Sequence, residues 1–237
     1  MNTNENIITD QSQLLLSTLK SMQANVPNKS PIRVCVASKY ASSNQIEKLY
    51  DQGFRIFGEN KIQDGIKKIS NLQHLTDIEW HFIGHLQRNK VKKAIQHFDV
   101  IQSVDSISLL EKINSISKEL NKKTICYIQI NIANDPKKFG FSEHDFVSLN
   151  KQLFTFPNVI IKGIMIIVPL SENKEITKNM FKNAYNLYKS APNLPKASEL
   201  SMGMSQDYKL AIEEGSTMVR IGRMLFQKQG DTHGIND

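Results

Sequence analysis

The chain has 237 residues, 40% of them hydrophobic, enough for one core of ordinary density. Its longest apolar run, 164–170, is too short to span a bilayer, and its polar, partly acidic N-terminus has neither the basic nor the apolar region of a secretory signal; no membrane association and a cytoplasmic location are expected. The net charge of +7 and pI near 9.3 suit nucleic acid or a phosphorylated small molecule, but pairs such as Lys67-Lys68, Lys92-Lys93 and Lys122-Lys123 read as solvated helix faces, so no specific nucleic-acid partner is expected.

An amphipathic segment at 11–23 predicts a helix ahead of the first strand. From Ile32 onward, short β-branched runs alternate with longer segments of helical period. Strands are predicted at 32–38, 54–57, 79–83, 100–103, 124–130, 160–167, 199–201 and 217–221. Helices are predicted at 44–51, 61–70, 89–96, 107–119, 143–154, 174–189 and 206–214, with a short one beginning near Met224. Ser42 and Ser205 offer N-cap oxygens, and Gly53 and Gly215 stand where helix C-termini favour a left-handed residue. Cys35 and Cys126 fall within strands among apolar neighbours, as free thiols do in a reducing compartment. No Pro- or Gly-rich linker divides the chain. Eight βα units predict an α/β protein, a single (β/α)8 TIM barrel over 1–237, with 227–237 as a short tail and the active face at the C-terminal ends of the strands.

Lys39 closes the first of these strands. Burial there would disfavour the ammonium form and leave more neutral amine to attack an aldehyde and form a Schiff base, which points to a carbonyl cofactor. A lysine simply emerging into solvent is the competing reading. Barrels of this kind hold phosphate at the loops after strands seven and eight. The run from Ser201 to Asp207 reads as a turn with two hydroxyls, a glycine and a helix start, suited to an anion or to plain capping. In strand eight, period-two alternation puts Arg220 on the interior face with Met218 and Gly222. A buried guanidinium needs a partner: a ligand's ring nitrogen or carboxylate, or a carboxylate of the protein such as Glu59. His81 and His85 have the spacing of paired metal ligands, but Phe82 stands where a zinc-protease motif needs Glu and the segment reads as strand then turn, so no metal is expected.

Five segments taken together resemble a known family. They are Ala37-Ser38-Lys39; Phe57-Gly58-Glu59-Asn60; His81-Phe82-Ile83-Gly84 with Leu86-Gln87 and Asn89-Lys90; Met202-Gly203-Met204-Ser205; and the run from Gly215 to Gly222. In this order, from about Ile32 to Phe226, they look like the pyridoxal phosphate homeostasis proteins. The resemblance implies a fold-type III barrel similar to the alanine racemase N-terminal domain, with pyridoxal 5'-phosphate as cofactor. Carried over by position, Lys39 matches the Schiff-base lysine, Ser201, Ser205 and the backbone at Gly222 match phosphate positions, and Arg220 matches the residue facing the pyridine nitrogen. Asn60 and His81 match pocket positions, and 131–140, containing Lys138, resembles a loop on the same face. Opposite a pyridine nitrogen an arginine only donates, leaving the ring a weak electron sink.

The chain departs from the family pattern at Tyr40, Lys61, His85 and Arg223. The function implied is vitamin B6 homeostasis: a non-catalytic monomer that buffers the cofactor or delivers it to apoenzymes. The rival is a pyridoxal-phosphate-dependent, racemase-like enzyme. Racemases draw acid-base machinery from a C-terminal β-domain for which 227–237 leaves no room, and two-sided proton transfer needs such a group on each cofactor face. A regulatory module using the cofactor as a sensor ligand is a third possibility.

Overall fold

The computed structural model describes residues 3–24, 26, 31–169, 171–195 and 198–226; the expected tail at 227–237 lies outside them. Eight parallel strands close into a barrel in chain order: β1 (Arg33–Ala37), β2 (Ile56–Glu59), β3 (Glu79–Phe82), β4 (Val100–Val104), β5 (Thr124–Ile130), β6 (Val159–Ile166), β7 (Glu199–Met204) and β8 (Met218–Ile221), with β8 pairing back onto β1. A helix precedes the barrel, α1 (Thr3–Gln23), and others follow the strands: α2 (Ser43–Asp51), α3 (Ile62–Asn71), α4 (Val91–His97), α5 (Ile107–Glu119), α6 (Glu143–Ser148), α7 (Asn150–Leu153), α8 (Lys174–Ser190), α9 (Tyr208–Glu213) and α10 (Arg223–Phe226).

Strand alternation sorts the side chains into two cores. Cys35, Ile56, Val100, Tyr127, Met165 and Met218 fill the barrel, whereas Phe57, Phe82, Ile101, Ile128 and Val219 pack outward under the helices. Both cysteines are free and buried. The expected cap at Ser42 forms: its hydroxyl accepts from the Gln45 amide while Gln45 returns a bond to the Ser42 N–H. Gly53 and Gly215 adopt φ of +95° and +94° behind α2 and α9. No helix among the described residues is long and apolar enough to cross a membrane.

Several boundaries shift by one or two residues, and three elements depart further from the sequence reading. Helix α1 starts at Thr3 because its buried stripe already begins at Ile8 and continues through Ser12, Leu15 and Leu19. The helix expected over 143–154 breaks at Leu149, which has φ −92° and ψ 1°. Strand β7 runs on past the expected 199–201 through Met204, paired with β8 at Ser201↔Met218 and Met204↔Arg220, so 202–204 join Ser201 in the sheet and the turn shrinks to 205–207. As a result Ser205 does not cap α9. Asp207 occupies that position without a side-chain cap bond, and the Ser205 hydroxyl accepts from the amides of Gly222 and Met224 at 3.3 and 3.5 Å.

Candidate functional site

A cavity of about 320 Å³ opens at the C-terminal ends of the strands. Lys39, Asn60, Ser205, Arg220 and Gly222 line it together. Lys39 enters one turn beyond β1, where the Ala41 amide bonds back to the Ser38 carbonyl at 2.8 Å. It is half-buried, between the buried amine and the solvent-emerging lysine that the sequence left open, and its ammonium lies 4.9 Å from the centroid of the Tyr40 ring. Behind it, Glu59 is fully buried at the end of β2 and accepts from Ser38 Oγ at 2.6 Å and Lys68 Nζ at 2.8 Å, while Lys68 also bonds the Ser38 carbonyl at 2.6 Å. This pair ties together the strand ends from which Lys39 and Asn60 emerge. It also leaves Glu59 engaged away from Arg220.

Arg220 reaches the cavity from β8, as the alternation predicted. Its Nη1 donates to the carbonyl and hydroxyl of Ser201, both at 2.8 Å, and its Nη2 to the Ile166 carbonyl at 2.6 Å. No carboxylate of the described residues forms a salt bridge with it. Burial draws the guanidinium down to about 10, still cationic at neutral pH. The cavity walls approach so closely that side chains are excluded. A Cβ at Gly84 would lie 2.2 Å from the Asn60 carbonyl oxygen, and one at Gly222 would lie 3.0 Å from that of Ala37.

His81 and Ser201 lie deeper and are not among the lining residues. Both are fully buried. They occupy inward pleats below the cavity, linked through Gln102: Ser201 Oγ donates to Gln102 Oε1 at 2.8 Å, and Gln102 Nε2 meets His81 Nδ1 at 2.6 Å. His81 Nε2 bonds Glu79 at 2.7 Å, and burial pushes its pKa below the ordinary value.

The family resemblance put the loop 131–140 on this face, but the sequence reading missed Gln129 and Phe139, which line the cavity. Gln129 donates to the Phe139 carbonyl at 3.0 Å, and Asn131 clamps the carbonyls of Asp135 and Lys138, which folds 131–140 back over the cavity. Phe139 thereby stacks on His85, centroids 3.7 Å apart and 13° from parallel, while His85 Nδ1 meets Asp105 at 3.1 Å. Two of the sequence's departures, His85 and Arg223, line the cavity. An aromatic residue in a loop tethered to a strand end was the available signal for Phe139; Gln102 carried none.

The family model for the alanine racemase N-terminal domain matches residues 16–229. A pyridoxal phosphate homeostasis protein of Synechocystis sp. is 37% identical over 198 residues, 82% of this chain and 90% of the relative. This chain belongs to the pyridoxal phosphate homeostasis protein family. The family member of Buchnera aphidicola is 32% identical and aligns over 97% of this chain and 98% of its own length. Among solved structures, PipY of Synechococcus elongatus with PLP bound superposes with a TM-score of 0.78 at 36% identity, covering 88% of this chain and 98% of that one. Alanine racemase of Clostridium difficile shares the fold, with a TM-score of 0.74 at 17% identity over 94% of this chain and 61% of its own.

Proposed function

We propose that this protein binds pyridoxal 5'-phosphate in the cavity at the strand C-termini and serves vitamin B6 homeostasis as a cytoplasmic, non-catalytic monomer, buffering the cofactor or passing it to apoenzymes. The observation that carries this reading is the convergence of Lys39, Arg220, Ser205 and Gly222 on one cavity with glycine-bared walls. The donor set suits the group: an amine for an aldehyde, a guanidinium for a ring nitrogen, and a hydroxyl with turn amides for a phosphate. The relative solved with PLP bound supports the same choice.

In this reading Lys39 joins the aldehyde carbon as a reversible Schiff base with loss of water, so that an incoming amine can release the cofactor again. Arg220 holds the ring nitrogen as an acceptor, which restrains carbanion chemistry. Ser205 and the backbone at Gly222 hold the phosphate, and Asn60 stands at the rim. His81 and Ser201 act from below, through Arg220. The exposed rim at Asn60 and His85 suits exchange better than control of a carbanion.

Titration of the dialysed protein with pyridoxal 5'-phosphate tests the proposal. Wild type should develop a yellow band that saturates at one per chain, and Lys39→Ala should lack it. Loaded wild type should restore an apoenzyme while leaving L-alanine unracemised; enzyme-like racemisation would overturn the non-catalytic assignment.

A further inference from the structure

A guanidinium that only donates at one end and a carboxylate that only accepts at the other order the protons along the line of polar side chains that descends from the cavity. Arg220 only donates, so Ser201 Oγ accepts from it at 2.8 Å and spends its own proton on Gln102 Oε1 at 2.8 Å. The Gln102 amide nitrogen then faces away, toward His81 Nδ1 at 2.6 Å and Met218 Sδ at 3.4 Å. The sulfur can only accept, which supports this amide orientation, and opposite an amide nitrogen that only donates Nδ1 must accept as well. His81 Nδ1 must be bare, leaving the proton on Nε2, which donates to Glu79 Oε1 at 2.7 Å. The other Glu79 oxygen accepts from Arg33 at 2.6 Å. Four side chains thus pass their donors in one direction, from the cavity to the Glu79 carboxylate at the opposite end.

We propose that Gln102 is a positioning residue: its amide locks the Ser201 hydroxyl toward itself and His81 in the neutral Nε2–H form, and so holds the Arg220 guanidinium at the angle it presents to the cavity. The role toward a ligand rests on the cofactor reading above; the chain itself belongs to the free protein. Gln102 stands in β4, fully buried, and its hydrogen bonds go to Ser201, His81 and Met218, none of which lines the cavity. It cannot be exchanged for a residue that only accepts. A carboxylate at this position accepts from Ser201 but has nothing to give His81, which must then supply a proton from Nδ1 as well and become imidazolium.

The charged and titratable groups around His81 are Glu79 on its own strand, Arg33 from β1, Tyr127 from β5 and Glu199 from β7; the Tyr127 ring lies edge-on at 6.3 Å. Arg33 bonds both carboxylates and Tyr127 donates to Glu199, so Gln102 is the partner that decides the state of Nδ1.

Nitrogen-15 NMR of the cofactor-free protein, with the His81 signals assigned by their loss in His81→Gln, is the first test. Wild type at neutral pH should show His81 with Nε2 protonated and Nδ1 bare, and Gln102→Glu should show imidazolium persisting to higher pH. Gln102→Leu should lose the tautomer preference, weaken pyridoxal 5'-phosphate binding by about three- to tenfold, the worth of a hydrogen bond or so, and shift the pH midpoint of the bound cofactor's absorbance. Ser201→Ala, which cuts the same link one step nearer the cavity, should repeat the affinity loss and the spectral shift. His81 carrying its proton on Nδ1 in wild type would overturn the proposal, as would an unchanged absorbance in both Gln102→Leu and Ser201→Ala. A wild type with the expected tautomer but no band from Lys39 would support the chain and overturn only the cofactor reading.

Discussion

At the floor of the barrel β1, β3 and β7 each begin with a charged residue, and the three side chains meet inside: Arg33 bonds Glu79 and Glu199 at 2.6 Å each, and Lys162 approaches Glu199 at 3.1 Å. Since β1 pairs with β2 and β8, Arg33 reaches β3 and β7 across the interior. At the mouth, β1 and β8 lead into small residues, Ala37 and Gly222, and Arg220, the one buried Arg or Lys among the described residues, is held by carbonyls and a hydroxyl. Charge at the floor is matched to charge, with Glu79 held down to about 2, first by its bond from His81 and further by Arg33. At the mouth the Arg220 charge forms no salt bridge with a carboxylate of the described residues. Removing one member of the floor network strands buried charge, whereas a cation held by neutral acceptors beside a cavity is the arrangement that the proposed ligand would meet.

The largest effect is expected at the pair beneath the mouth. Lys68→Met strands the fully buried Glu59 carboxylate and should cost about 3 kcal/mol in urea denaturation. An unchanged midpoint would mean that the mouth does not rest on that pair. Arg33→Met leaves Glu79 and Glu199 to repel each other. Its side chain is 29% exposed, so about 2 kcal/mol is expected, less than for a fully buried pair.

The pH dependence has a definite sign. His81 is held neutral in the folded state, so the unfolded chain binds the extra proton, and stability falls as the pH drops below 6.5. Glu79, depressed in the folded state, adds a further loss as the pH falls from 4.5 toward about 2. Melting curves of wild type from about pH 7.5 to about pH 5.5 should drift down more steeply than those of His81→Gln. The smallest effect sharpens the contrast from the other side: Lys39→Ala, at a half-buried turn, should change stability by no more than about 0.5 kcal/mol while abolishing the cofactor band. A large stability loss would make Lys39 a structural residue.

The strand count, the α2 cap and the placing of Arg220 were legible because each depends on local spacing or on a charge standing in an apolar run. The extent of β7 was not. Ser201-Met202-Gly203-Met204 has the composition of a turn, and only pairing with β8 makes it strand. That single tertiary fact carries the sheet beyond Ser201 and leaves its side chain in the interior, linked through Gln102 to His81, instead of at a phosphate turn. Gln102 was invisible for a similar reason: its importance comes from β3 and β7 flanking the cavity axis, which no local pattern records.

Borohydride reduction of the protein loaded with pyridoxal 5'-phosphate, followed by peptide mass spectrometry, addresses the central claim most directly. The account predicts one pyridoxyl group per chain, on Lys39. Label spread over exposed lysines, or on another lining residue with Lys39 unmodified, would contradict it.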